Sequence, residues 1–112
     1  MKAFWDSTGQ LWASRALDGK YCGMFCSTAS QHGGQETSIL TFIPVLAHHG
    51  INFVPVGYAS NLYGEVGEVM GGGPWGSATL SASDGSRLPS EKEKEAAVAQ
   101  GVYFAKVINK VK

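Results

Sequence analysis

Chemistry in this sequence is concentrated at three places: the run Ser27-Thr28-Ala29-Ser30-Gln31-His32-Gly33-Gly34, the adjacent imidazoles His48 and His49, and Trp12. The first run follows a short apolar stretch and passes through two glycines into a helical pattern that begins at Gln35. This is the layout of a strand-to-helix turn, where backbone N–H groups and a helix N-terminus face the carboxyl end of a strand and can hold an electron-rich ligand. An imidazole can exchange a proton near neutral pH, although paired histidines at the end of a helix also serve simply as favourable cations. The indole of Trp12 suits stacking on a flat ligand and suits ordinary packing equally well. Cys22 and Cys26 complete the reactive set; four apart on one strand they point the same way but lie ~13 Å apart, too far for a disulfide or a shared metal.

Composition bounds what these groups can mean. The chain has 112 residues, 44% hydrophobic and 16% charged, which is enough apolar material for the core of one domain. Nine Lys and Arg balance nine Asp and Glu, so no basic surplus recommends nucleic acid or an anionic membrane as partner. No Cys/His cluster has metal-ligand spacing. Asp6 interrupts the start before an apolar signal core could form, and no apolar run approaches the roughly 20 residues of a membrane span. A cytoplasmic protein with reduced thiols is the expectation.

The elements that must position the reactive groups can be read from the patterning. Lys2–Asp6 reads as the end of a helix, and Leu11–Leu17 as a short helical turn closed by Asp18-Gly19. Lys20–Ser27 is a near-continuous apolar run, as in a parallel strand covered on both faces. Gln35–His49 reads as a helix with Ile39, Phe42, Ile43 and Leu46 on one face, Gly50 as its stop and Pro44 as a discordant residue expected to kink it. Ile51–Tyr58 is a second strand, expected at a sheet edge because Pro55 cannot donate to a ladder. Together these segments predict a right-handed βαβ crossover. Ala59–Arg87 holds seven glycines and reads as one long loop, with no Gly-Lys-Ser/Thr to make it a P-loop. Ser90 and Glu93 form a capping box that starts the last helix at Glu91, with Ala97, Gly101, Phe104, Ile108 and Val111 on one face and Gly101 as a point of close approach to the sheet.

The order is helix end, strand, helix, edge strand, long loop, helix. It predicts an α/β fold that is the C-terminal half of a doubly wound parallel sheet, with a first strand lacking a neighbour on its other side.

Six blocks carry a resemblance across nearly the whole chain: Phe4-Trp5-Asp6-Ser7-Thr8-Gly9-Gln10-Leu11-Trp12-Ala13-Ser14; Ser27-Thr28 through Gly33-Gly34-Gln35-Glu36-Thr37; Leu46-Ala47-His48-His49-Gly50; Phe53-Val54-Pro55-Val56-Gly57-Tyr58; Gly72-Gly73-Pro74-Trp75-Gly76; and Asp84-Gly85-Ser86-Arg87. Together they resemble the WrbA-type NAD(P)H:quinone oxidoreductases, the Trp5 and Pro74-Trp75 variants being most similar to fungal members. The resemblance implies a flavodoxin-like fold, FMN as cofactor, NADH or NADPH as hydride donor, a quinone as acceptor and a homo-tetramer. It implies that residues 1–112 are the C-terminal part of that domain, without the N-terminal strands and the loop that grips the FMN phosphate.

By the same resemblance Ser27, Thr28, Ala29, Ser30, Gln31, His32 and Gly33 surround the isoalloxazine ring, where backbone donors would stabilise negative charge on reduced flavin. Ala29 stands where the family often has glycine; a positive φ there would cost on the order of 1 kcal/mol. His49 corresponds to a histidine beside flavin and quinone, a catalytic and cofactor-contacting role, and Trp12 to a substrate-binding wall between subunits. The implied activity is two-electron quinone reduction, with the truncated chain itself expected to be inactive. The alternative is a non-catalytic remnant or fragment that associates with an intact flavodoxin-like subunit.

Overall fold

The apolar run after Lys20 forms two short strands rather than one. A computed structural model describes all residues, 1–112. In it β1 (Tyr21–Cys22) pairs in parallel with β3 (Asn52–Phe53), and β2 (Cys26–Thr28) pairs in parallel with β4 (Ala78–Leu80). Between them the chain passes through Gly23-Met24-Phe25, and here Gly76 lies so close that a Cβ on it would collide with the Met24 carbonyl oxygen. The remaining elements are α1 (Lys2–Asp6), α2 (Gly9–Ala13), α3 (Gln35–His48), a 3-10 turn at Asn61–Gly64 and α4 (Glu91–Val111).

Both ladders use the same edge of the β1–β2 segment. The Asn52 amide donates to Lys20 O (2.8 Å), that of Val54 to Cys22 O (2.9 Å), Cys26 N to Ser77 O (3.2 Å), and Ser81 N to Thr28 O (2.9 Å). At the break between them the side-chain amide of Gln100 donates to Met24 O at 2.8 Å. Every group on this edge belongs to an even-numbered residue, and because successive strand residues point their backbone groups to opposite edges, Tyr21, Gly23, Phe25 and Ser27 face the other way. No strand of the chain lies there. In place of one continuous strand there are two small two-stranded parallel sheets, the expected uncovered strand edge is present, and Phe25 is 82% exposed beside it.

The shape follows. Only 16 of 112 residues are buried, and the radius of gyration of 15.3 Å exceeds the about 13 Å of a compact domain of this length. The chain is a slab 17 Å thick, with a small core of Ile39, Leu46, Val54, Val56, Leu62, Ala78, Leu80 and Ala96.

Several expectations change in detail. The helix α3 runs through Pro44 without interruption. The second strand is ladder-paired only over Asn52–Phe53, and it has one neighbour, as an edge strand should. The supposed long loop holds a strand, β4, whose three residues are too few to show a period of their own. The capping box at Ser90 and Glu93 is present in both directions. The apolar face assigned to α4 is displaced: Glu93 and Ala96 are buried, whereas Ala97 and Gly101 are exposed and Val111 is 57% exposed. A Cβ on Gly101 would meet nothing within 4 Å. The Ala97–Gly101–Phe104 side instead borders an open, mostly apolar groove against Tyr21, Gly23 and Phe25, because nothing in this chain covers it.

Candidate functional site

The reactive groups fall into two clusters at opposite ends of α3. At its N-terminal end, β2 leads into the turn Ala29–Gly34, and Gly34 precedes the helix with φ 92°. Ser27 and the residues from Ala29 to Gly33 are exposed, while Thr28 is half-buried. The turn is shaped locally: Thr28 Oγ1 donates to Ser30 O at 2.9 Å, His32 adopts φ 56°, and a Cβ on Gly33 would lie 2.9 Å from Ser30 O and from Thr28 Cβ. Left-handed backbone falls on His32 and not on Ala29, so alanine carries no strain at the position where glycine was expected. None of the amides from Ala29 to Gly34 donates to the chain's own backbone. They form a row of free donors ahead of a helix N-terminus, suited to acceptor atoms on the edge of a ligand.

Gln35 ties this turn to the glycine-rich segment. Its Nε2 donates to Thr28 Oγ1 (3.0 Å) and to Thr79 O (2.9 Å), and its Oε1 accepts from Gly72 N at 2.8 Å. Between turn and segment lies a cleft of about 680 Å³ bordered by Gln31, His32, Tyr58, Tyr63 and Gly72–Pro74, with Glu36, Glu65 and Glu68 also on its wall. Three carboxylates make it unwelcoming to a phosphate and leave room for a neutral ring.

Behind the cleft, Glu93 holds the glycine-rich segment in place. It is 3% exposed, and it accepts from Gly71 N (2.9 Å), Thr79 Oγ1 (2.7 Å), Ser90 N (2.9 Å) and both terminal nitrogens of Arg87 (3.0 and 3.1 Å). Burial pushes its carboxyl pKa up, but the hydrogen bonds from Arg87, Thr79, Gly71 and Ser90 outweigh that and hold it at about 2. On the other side of the sheet segment, burial raises both Cys22 and Cys26 thiols, so neither is primed as a thiolate.

The second cluster sits at the C-terminal end of α3, ~21 Å away along its 14 residues. His49 is buried, its Nε2 2.9 Å from Thr8 Oγ1, and its ring packs against Trp5 with centroids 5.7 Å apart. His48 is exposed, and with Trp12, itself 56% exposed, it borders an open cleft that also includes Arg15 and Asp18. Within one chain the structure thus gathers Ser27–Gly33 at one end and Trp12 with both histidines at the other. Sequence reasoning gave Gln35 and Gln100 no role and reserved the site role for His49, whereas it is His48 that faces outward. Only the glutamate of the capping box announced itself as more than a surface charge, since a glutamine's role here depends on which distant amide it reaches.

No protein-family model matches the chain. Its relatives are nonetheless clear. It is 49% identical over 111 residues to the NAD(P)H quinone oxidoreductase PST2 of Candida albicans, covering 99% of this chain and 55% of that protein. It is 51% identical over 113 residues to an NAD(P)H dehydrogenase (quinone) of Rhizobium rhizogenes, covering 99% and 56%. Over nearly its whole length the chain is a homologue of NAD(P)H quinone oxidoreductases. It also matches the minor allergen Alt a 7 of Alternaria alternata at 48% over 111 residues, 97% of this chain and 54% of the allergen. The chain spans about half the length of the curated relatives it matches. None of its helices is long and apolar enough to cross a membrane.

Proposed function

We propose that this chain is the C-terminal part of a WrbA-type, flavodoxin-like, FMN-dependent NAD(P)H:quinone oxidoreductase. The observation that carries the reading is the coincidence of near-50% identity to NAD(P)H quinone oxidoreductases with a turn whose amides, Ala29 to Gly34, are unspent on the backbone. Those donors fit the acceptor edge of an isoalloxazine ring and the negative charge it gains on reduction. Bound there, FMN would supply reversible hydride chemistry. The chain's own part is to aim the Ala29–Gly34 amides, to hold Gly72 and the turn together through Gln35, and to keep the cleft unwelcoming to phosphates.

Trp12 and His48 form the substrate-facing surface in this reading, with His49 behind them. Because ~21 Å of helix separates them from the turn, they serve the ring of a neighbouring copy, and the active assembly is an oligomer. A flat indole stacks on a quinone or nicotinamide, and an exposed imidazole can donate to a quinone oxygen as charge develops.

The test is a chimera joining the upstream segment of the Candida albicans relative to this chain. Retained flavin and NAD(P)H-dependent quinone reduction are expected; a folded chimera without flavin would overturn the assignment. The 112-residue chain by itself is expected to show no saturable quenching of FMN fluorescence at micromolar concentration, since ring-edge contacts lack the phosphate hydrogen bonds worth roughly 1.5–3 kcal/mol each.

A second reading, a non-catalytic piece that associates with an intact subunit, is favoured by the open edge of β1–β2 and exposed Phe25. Co-purification with a flavin-bearing partner supports it, and a monodisperse, cooperatively melting monomer argues against it.

A further inference from the structure

We propose that Thr8 fixes the tautomer of His49 and that this single polar contact seats the helix carrying Trp12. Thr8 and His49 are 8% and 9% exposed, and they join segments 41 residues apart. The Thr8 hydroxyl has two close partners: Trp5 O at 2.6 Å and His49 Nε2 at 2.9 Å. A carbonyl oxygen can only accept, so the one hydroxyl proton goes to Trp5 O and the hydroxyl meets His49 as an acceptor. Nε2 must then carry a hydrogen. A neutral imidazole has only one, which leaves Nδ1 as a bare lone pair, and Nδ1 is indeed buried without any partner.

His49 therefore spends its N–H on Thr8 and acts as a positioning residue. The consequence passes directly to Trp12, whose amide donates to Thr8 O at 3.0 Å. The helix α2 has five residues and no side-chain cap, too short to persist without an external tether. Trp5 closes the other side, its ring 5.4 Å from Phe42 and 5.7 Å from His49. That Trp12 placement matters for turnover rests on the proposed function; the tautomer and the seating do not.

The experiment uses the 112-residue chain with ¹⁵N-labelled histidine, without flavin or quinone. Magic-angle-spinning NMR reads the tautomer whether the chain is monomeric or associated. Wild type should show His49 protonated at Nε2 with an unprotonated Nδ1. Thr8→Ser should keep that signature, and Thr8→Val should lose it while hydrogen exchange at the Trp12 amide accelerates roughly tenfold, about one neutral hydrogen bond. An Nδ1–H tautomer in wild type, or a tautomer unchanged in Thr8→Val, overturns the first claim. Unaltered Trp12 exchange in Thr8→Val overturns the second. Should Thr8→Val fail to fold, wild type and Thr8→Ser still decide the tautomer, and exchange in His49→Gln, which keeps an N–H donor, against His49→Leu decides the seating. A flavin-free chimera would sink the quinone reading and leave these results standing.

Discussion

The two ends of α3 are held by different physics. At the N-terminal end, Gln35, Gln100 and Glu93 reach across the chain and satisfy backbone groups of the glycine-rich segment and the broken strand. At the C-terminal end, α1 and α2 rest on an aromatic cluster of Trp5, Phe42 and His49 and on one polar contact between side chains, Thr8 to His49. The first end is a directional lattice in which each removed partner leaves a buried polar group unpaired. The second is a packed contact that can yield by degrees. Under the proposed function, the turn that presents amides needs the former, and a wall facing flat substrates can tolerate the latter.

The sharpest way to break this comparison is Glu93→Ala. It strips the Arg87 guanidinium of its counter-ion and takes the carboxylate away from three further donors, Gly71 N, Thr79 Oγ1 and Ser90 N, and a loss of about 3–5 kcal/mol is expected, read as collapse of the urea or thermal transition. A variant within 1 kcal/mol of wild type, on this scale, would mean the lattice is ornamental.

Acid should produce a slightly smaller effect through the same carboxylate. Its folded pKa of about 2 lies below the ordinary 4.5, so its contribution is complete above about pH 5 and drains away as pH falls toward 2, roughly 3 kcal/mol in all. Stability measured against pH should show this slope in wild type, and Glu93→Gln should flatten it.

Gln35→Ala comes next, at about 1–3 kcal/mol for the hydrogen bonds it removes. Hydrogen exchange should quicken at Gly72 and leave the Trp12 amide unchanged. Equal acceleration at both would show that the two ends are one cooperative unit.

Trp12→Ala should matter least for folding, within about 0.5 kcal/mol, because its side chain is largely exposed. In the flavin-bearing chimera it should lower quinone turnover while the holo fraction after purification stays constant. Loss of flavin instead would move Trp12 to the cofactor side.

Local chemistry was legible in the sequence wherever neighbours along the chain decide the outcome. The Ser90–Glu93 cap, the turn from Ser27 to Gly34, the helix start at Gln35 with its stop just before Gly50 and the edge position of the short strand ahead of Pro55 all depend on residues within a few positions of one another, and each could be read directly. The open strand edge could be read too, since no other segment of the chain offered a strand to pair with the far side of Lys20–Ser27. Tertiary structure alone decided the rest. The break in the strand at Gly23–Phe25 exists because Gly76 and Gln100 meet Met24 there. The face of α4 turns toward Glu93 because Arg87, Thr79 and Gly71 converge on that carboxylate. Thr8 finds His49, 41 residues away, and so buries one imidazole while its neighbour faces out. Period and propensity describe what a segment can do alone; which of two adjacent histidines is spent on an anchor is settled only when distant donors and acceptors compete for the same atoms.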